Sequence, residues 1–232
     1  MNILAFDTAF AACSVAAARG LRSLTPVICP LFEAMTTGHA ERLMPMIEAA
    51  LSETKLTVAD LNLIAVTTGP GTFTGTRITV AAARALALLN NTPIVTLTSL
   101  KLMAMSSDAR SSGARQLAIA TDARREEVYI ERFCPNSLRS LGPPAVLSIA
   151  DAAQSLGPNS TALAGSGAAA VAAEALNQGL DVHVSATSLL PDAFDMLFWA
   201  MEQKPTAIVH PLYLRPPDAK PPAHSFVSRS SI

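Results

Sequence analysis

Charge is scarce in this chain. Only 15% of its 232 residues are Asp, Glu, Lys or Arg, while 50% are hydrophobic. Disorder needs the opposite balance, so a packed globular chain follows. Aromatics are as thin, at 5%, so the core must be built from Ala, Leu, Val and Ile. A chain of this length buries such a core without staples, as one large domain or two small ones. Cys13, Cys29 and Cys134 are odd in number, far apart and without the paired spacing of a zinc site; that usage fits a reducing cytosol. Basic clusters are missing as well. Residues 1–116 carry nine Lys+Arg against seven Asp+Glu, net +2, and the remainder eight against eleven, net −3. The one adjacent basic pair is Arg124–Arg125, whereas a protein that grips nucleic acid alone neutralises several phosphates with clustered cations. Autonomous nucleic-acid binding is not expected. No stretch reaches the ~18 uncharged apolar residues of a membrane span. The apolar run Ile3–Ala18 ends in a signal-peptidase-like Ala16-Ala17-Ala18, but no basic region precedes it and Asp7 interrupts it. A hairpin of two buried strands is expected there.

What is present is an alternation of apolar strands and helical stripes. Asn2–Asp7 and Cys13–Ala18 read as paired strands, and Val27–Phe32 as a third. A helix is predicted from His39 to Glu53, with Leu43, Met46, Ile47, Ala50 and Leu51 at helical spacing. Pro45 lies too deep for a first-turn proline and predicts a bend or a late start. Leu63–Thr67 reads as a strand. A glycine loop, Gly69-Pro70-Gly71-Thr72-Phe73-Thr74-Gly75, then opens an Ala-rich helix from Gly75 to about Leu89. Strand Ile94–Leu97 and helix Ser99–Met105 follow, and Ser106–Arg115 is polar enough for a linker. The pattern restarts with strands Leu117–Thr121, running into Asp122, and Glu127–Phe133. Helix Asp151–Ser155, strand Thr161–Ala164, the turn Gly165-Ser166-Gly167, helix Ala168–Asn177, strand Asp181–Ala186 and helix Asp192–Gln203 complete it. Two halves that each begin with a strand ending in Asp suggest an internal duplication. The stretch from Arg215 is rich in Pro and Ser and predicts an extended or disordered tail.

Few residues are arranged for chemistry. A glycine loop feeding a helix N-terminus is a natural anion seat, yet it lacks the Lys of a Walker loop, and Thr74 breaks G-x-G-x-x-G. A tight turn packing helix against strand explains it as well. His39-Ala40-Glu41-Arg42-Leu43 is not H-E-x-x-H, and Leu43 stands where a second metal-binding His would be needed. Gly165-Ser166-Gly167 lacks the first glycine of a nucleophile elbow. Asp7 and Asp122 at strand ends would serve either to orient Mg²⁺ or water across a cleft or to cap their own turns. The Ala-rich helix is apolar nearly all round (Ile78, Ala82, Ala85, Leu89 on one side; Val80, Ala83, Ala87 elsewhere), so it is either central in its domain or half of a protein–protein interface. With Met44 and Met46 on the preceding helix, the interface is the favoured reading.

Taken together, Ile3-Leu4-Ala5-Phe6-Asp7-Thr8, His39-Ala40-Glu41-Arg42-Leu43 with Pro45, Gly69-Pro70-Gly71-Thr72-Phe73-Thr74-Gly75-Thr76-Arg77-Ile78, Thr121-Asp122-Ala123-Arg124 with Glu127-Val128-Tyr129, Gly165-Ser166-Gly167 and Tyr213-Leu214-Arg215 resemble the bacterial TsaB (YeaZ) family of tRNA threonylcarbamoyladenosine biosynthesis. They span nearly the whole chain in order, and the G-P-G-[ST]-F-T-G stretch is the specific one. The resemblance implies an α/β fold of two similar actin/hexokinase/Hsp70-type (ASKHA) subdomains, each a mixed sheet with flanking helices: residues 1–105 plus about 190–214, residues 106–189, and a tail over 215–232. It implies a cytoplasmic, non-catalytic scaffold that docks a TsaD-like catalytic subunit, with a TsaE-like ATPase joining. That assembly transfers threonylcarbamoyl to the adenosine beside the anticodon of ANN-decoding tRNAs, and this chain meets tRNA only through it. The interface, shared with a homodimer, would use His39, Leu43, Met46, Ile47, Arg77, Ile78, Ala82 and Ala85. No catalytic residue, metal or resident cofactor is expected; a nucleotide or anion would touch Asp7, Thr8, Gly71, Thr72, Thr74 and Asp122, with ATP or ADP at the boundary with TsaD. The family often has Leu and Gly where this chain has Thr76 and Thr79, and the β-branched Thr79 predicts an altered closest approach of docked helices. The alternatives are an ASKHA-type ATP-binding enzyme using the Asp7/Asp122 cleft and, as the weakest, a peptidase.

Overall fold

The computed structural model describes residues 1–110, 113–206 and 208–215. The first half contains β1 (Ile3–Asp7), β2 (Ala12–Arg19), β3 (Val27–Ala34), α1 (His39–Glu53), β4 (Leu63–Thr67), α2 (Phe73–Asn90), β5 (Ile94–Leu97) and α3 (Ser99–Met105). The second contains β6 (Gln116–Asp122), β7 (Glu127–Phe133), β8 (Ala145–Ser148), α4 (Ile149–Ser155), β9 (Thr161–Ala164), α5 (Ala168–Asn177) and β10 (Val182–Ala186), and α6 (Ala193–Ala200) returns to the first sheet. One sheet is ordered β3-β2-β1-β4-β5 and the other β8-β7-β6-β9-β10. In both, the first three strands form an antiparallel meander and the last two add in parallel. The duplication hinted at by Asp7 and Asp122 is therefore a repeat of whole topology, two similar halves each built on a mixed five-stranded sheet with flanking helices.

Alternation along each central strand explains why it is apolar throughout. In β1, Leu4 and Phe6 face α1 and α2, while Ile3 and Ala5 face α6. In β6, Ala118 and Ala120 face α4 and α5, while Leu117 and Ile119 face α3. A sheet covered on both sides has no polar face, so period-two patterning disappears. Helix α3 is wedged between the halves: Leu102 and Met105 pack on the first sheet, and Leu100, Met103 and Ala104 on the second. Across the same junction Thr98 caps α3 by accepting from Lys101 N–H at 2.9 Å and donates to Glu131 of β7 at 2.6 Å.

Three local expectations need correction. Helix α1 runs unbroken from His39, with no late start at Pro45. Proline there removes one helical hydrogen bond, and the buried stripe Leu43, Met46, Ile47, Ala50 and Leu51 holds the turn in place. Helix α2 begins at Phe73 and not Gly75, because the Thr72 hydroxyl caps it by accepting from Gly75 N–H at 3.1 Å. Strand β8, after Pro143-Pro144, has no counterpart among the predicted strands; it is a short edge strand pairing only with β7, the position in which a flanking proline is tolerated. The Pro/Ser-rich tail beyond Arg215 lies outside the described residues. Among the described residues, no helix is long and apolar enough to cross a membrane.

Candidate functional site: the glycine loop, the interdomain cleft and the outer face of α2

The glycine loop is built into the β1–β2 turn. A Cβ on Gly71 would lie 2.4 Å from the Ala9 carbonyl oxygen, and one on Gly75 2.0 Å from that of Thr8. Both oxygens belong to the backbone, so only glycine allows the approach. The contact is then sealed by hydrogen bonds. Thr72 N–H donates to Ala9 O at 2.7 Å; the Thr8 hydroxyl donates to Gly75 O at 2.8 Å, and Thr8 N–H donates to Thr79 Oγ1 at 3.0 Å. The second half repeats the device, since a Cβ on Gly165 would lie 2.4 Å from Ala120 O and Gly167 N–H donates to that oxygen at 3.0 Å.

Asp7 does not face the cleft. Its side chain is fully buried, with one oxygen accepting from Ala9 N–H at 3.0 Å and the other from the Thr67 hydroxyl. Burial outweighs these two bonds and pushes its pKa up to about 6. Thr8 is equally buried. The expectation that Asp7 and Thr8 contact a ligand is thus corrected: both hold the turn. Asp122 is exposed at the end of β6 and accepts from Arg124 N–H at 2.8 Å. With Gly71, Thr72, Phe73, Thr74, Phe10, Ala123, Arg124, Tyr129 and Arg215 it lines a cleft of about 360 Å³ between the halves. Gly71, Thr72, Thr74 and Asp122 are therefore brought together. Arg215 reaches across to pair with Glu127 of β7. Arg124, Arg125 and Glu126 all have left-handed φ, at 63°, 58° and 59°, which costs roughly 1–2 kcal/mol per residue; the Ala123 N–H to Glu127 O bond of 2.9 Å closes this turn.

The helical residues divide differently from the expected interface. Leu43, Met46 and Ile47 are about 1% exposed and belong to the first half's own core, so they cannot be surface contacts. Amphipathic spacing identified the stripe that packs, and on α1 that stripe faces the sheet. Met44 and Pro45 face outward together with Ala40, Glu41, Glu48, Ala49, Ser52 and Glu53. On α2, Ile78 and Ala82 are half-buried against the core while Ala85 is exposed; Leu88 and Leu89 are 78% and 73% exposed. Thr76 and Thr79 face inward, nearly fully buried. The predicted effect of Thr79 on docked helices is accordingly corrected: its hydroxyl holds Thr8, and its bulk never reaches the outer face. His39 turns back, with Nε2 2.9 Å from Phe10 O. Arg77 lies 3.6 Å over the Phe73 ring and donates from Nε to Tyr213 Oη at 2.6 Å. For Tyr213 and Arg215 the sequence offers no role beyond the motif that contains them. Among the described residues, no three His, Cys, Asp or Glu side chains gather as a metal site.

Residues 31–208 match the family model of TsaD, tRNA N6-adenosine threonylcarbamoyltransferase. Two Pseudomonas aeruginosa structures share the fold: a protein described as uncharacterized with similarity to peptidase YEAZ, at TM-score 0.74 and 30% identity over 92% of this chain and 99% of that one, and YeaZ itself, at 0.71 and 31% over 87% and 91%. The chain belongs to the TsaB/YeaZ family. Its relatives include Escherichia coli TsaB, a tRNA threonylcarbamoyladenosine biosynthesis protein, 37% identical over 129 residues, or 56% of this chain and 53% of that protein. An uncharacterized Mycobacterium tuberculosis protein is 37% identical over 220 residues, covering 95% and 94%. In this TsaB/YeaZ protein the glycine loop is an internal fastener between α2 and the β1–β2 turn.

Proposed function

We propose that this chain acts in tRNA threonylcarbamoyladenosine biosynthesis as a non-catalytic accessory subunit. It docks a TsaD-like catalytic subunit, a TsaE-like ATPase joins, and tRNA is met only through the assembly, in the cytoplasm. The observation that carries this reading is the fate of the glycine loop. Gly71, Thr72, Gly75, Thr8 and Asp7, the groups that would be needed to cradle a phosphate or place a metal, make hydrogen bonds or close contacts within the chain. What remains for a partner is the outer side of α2, where Ala85, Leu88 and Leu89 recur at i, i+3 and i+4 and are all exposed. Contiguous exposed apolar residues mark association surfaces. We place the subdomain limits at 1–105 plus about 190–214 and at 106–189.

Replacing Leu88 and Leu89 together by Asp tests the docking. Both side chains are exposed in the free chain, so the fold tolerates the change, whereas an unpaired charge buried at an interface costs several kcal/mol. Loss of co-purification with the TsaD-like protein, and of tRNA modification in an assay omitting each subunit in turn, is the expected result; undiminished pull-down by a folded variant refutes it. The second reading, an ATP-binding enzyme, draws support from Arg124, Arg215, Thr72, Thr74 and Asp122 around the cleft. Calorimetry of the isolated chain with Mg-ATP separates the two: micromolar binding accompanied by turnover favours the enzyme.

A further inference from the structure

A cavity of about 310 Å³ lies on the side of the first sheet away from α1 and α2, where α6 meets α3. Helix α6 supplies its aromatic wall. The inner face of that helix, Ala193, Met196, Leu197 and Ala200, packs on the sheet, which leaves Phe194 and Phe198 outward with Trp199 at their flank. All three line the cavity, and the two Phe side chains are 38% and 49% exposed. This chain has eight Phe and a single Trp, so it spends a large share of a small aromatic stock on one open wall. Aromatic surface left unburied in this way is characteristic of recognition sites. Opposite, Lys101 of α3 places its Nζ 5.3 Å from the centre of the Trp199 ring, and Arg110 follows just beyond that helix on the same cavity.

Both signs of charge face this space without meeting. Arg110 donates to Met105 O at 2.8 Å, but among the described residues neither it nor Lys101 forms an ion pair. Asp195 of α6 is half-buried on the cavity wall, and its carboxylate accepts no hydrogen bond from the described residues. Burial, joined by Asp192 and Asp108, pushes its pKa up, and Arg110 pulls it back, so the guanidinium is near enough to be felt without touching. Charges partly withdrawn from water gain most from charge-assisted hydrogen bonds. A simple anion here would be repelled by Asp195, and a simple cation by Arg110 and Lys101. A ligand carrying both charges satisfies each. An apolar cavity of about 150 Å³ accepts benzene, so twice that space takes a ring together with a charged headgroup.

We propose that this cavity binds a free amino acid with an aromatic side chain, its carboxylate on Arg110 and Lys101, its ammonium on Asp195 and its ring against Phe194, Phe198 and Trp199. The site is independent of the docking proposed above, which uses the opposite side of the first sheet.

Trp199 is the chain's single Trp, so its fluorescence reports on the cavity directly. The full chain is titrated with phenylalanine, with N-acetylphenylalanine, which lacks the ammonium, and with phenylalaninamide, which lacks the carboxylate. Phenylalanine is expected to change the Trp199 emission saturably with a dissociation constant of about 1 mM, as befits roughly a dozen non-hydrogen atoms. Each analogue should bind about tenfold more weakly, the worth of one charge-assisted hydrogen bond. Asp195→Asn, which keeps the shape of the side chain, should weaken phenylalanine by the same factor and leave N-acetylphenylalanine unchanged. Phe198→Ala, at an exposed position, should weaken all three. No saturable change, equal affinity for phenylalanine and both analogues, or undiminished phenylalanine binding by Asp195→Asn overturns the proposal; the first of these means that Asp195 and Arg110 are solvated surface charges.

Discussion

Replacing Asp7 by Asn should make this protein more stable, and the gain should vanish in acid. The carboxylate is fully buried, so no solvent screening reduces what its charge costs. Its pKa rises from an ordinary 3.8 to about 6 because desolvation exceeds the help of Thr67 and Ala9. The native state therefore binds this proton more tightly than the unfolded chain. Stability from this group is fully present below about pH 4 and is lost as pH rises through 6. That shift is worth about 3 kcal/mol at pH 7 and above. Asparagine keeps the geometry: its amide oxygen accepts from Ala9 N–H, its amide nitrogen donates to Thr67 Oγ1, and no charge is buried. For a chain of this size, ~3 kcal/mol corresponds to roughly 6–12 °C in melting temperature. Thermal and urea unfolding of both proteins between pH 4 and 8 would measure it, the difference between them removing the titration of every other carboxylate. An Asp7→Asn variant less stable than wild type at pH 8, or a gap that fails to close toward pH 4, would refute the account of Asp7 as a buried turn-holder.

Gly75→Ala puts a methyl 2.0 Å from the Thr8 carbonyl oxygen, and overpacking against backbone should cost about 3 kcal/mol or more, read by denaturant unfolding. Breaking the Arg42–Glu33 ion pair should matter little, because both side chains are over 40% exposed; Arg42→Ala is expected to lie within ~1 kcal/mol of wild type in the same assay. The three thiols should alkylate in a set order under native conditions. Cys134, partly exposed and with its pKa lowered by a hydrogen bond from Ser137, goes first; Cys13, buried and pushed up to about 11, reacts only on unfolding. Mass spectrometry of timed iodoacetamide labelling checks the order, and early modification of Cys13 would show that β2 opens easily.

Much of this protein is legible without any knowledge of its fold, for a physical reason. Strand and helix identity follow from local spacing of apolar residues, so most elements fall within a few residues of where periodicity puts them, and the repeat of a strand ending in Asp already points to duplicated topology. The G-P-G-T-F-T-G stretch is the most specific part of the resemblance, and two of its glycines let one backbone touch another where a Cβ would not fit. Direction is decided only by tertiary structure. Leu43, Met46 and Ile47 obey helical spacing whether their stripe meets a partner or the chain's own sheet, and only the placement of α1 on β2 sends them inward. Asp7 likewise ends its strand in either reading; what makes it a buried fastener is Thr67, sixty residues away, donating to it. Spacing along a chain specifies which residues share a face, but what that face meets depends on contacts between residues far apart in sequence.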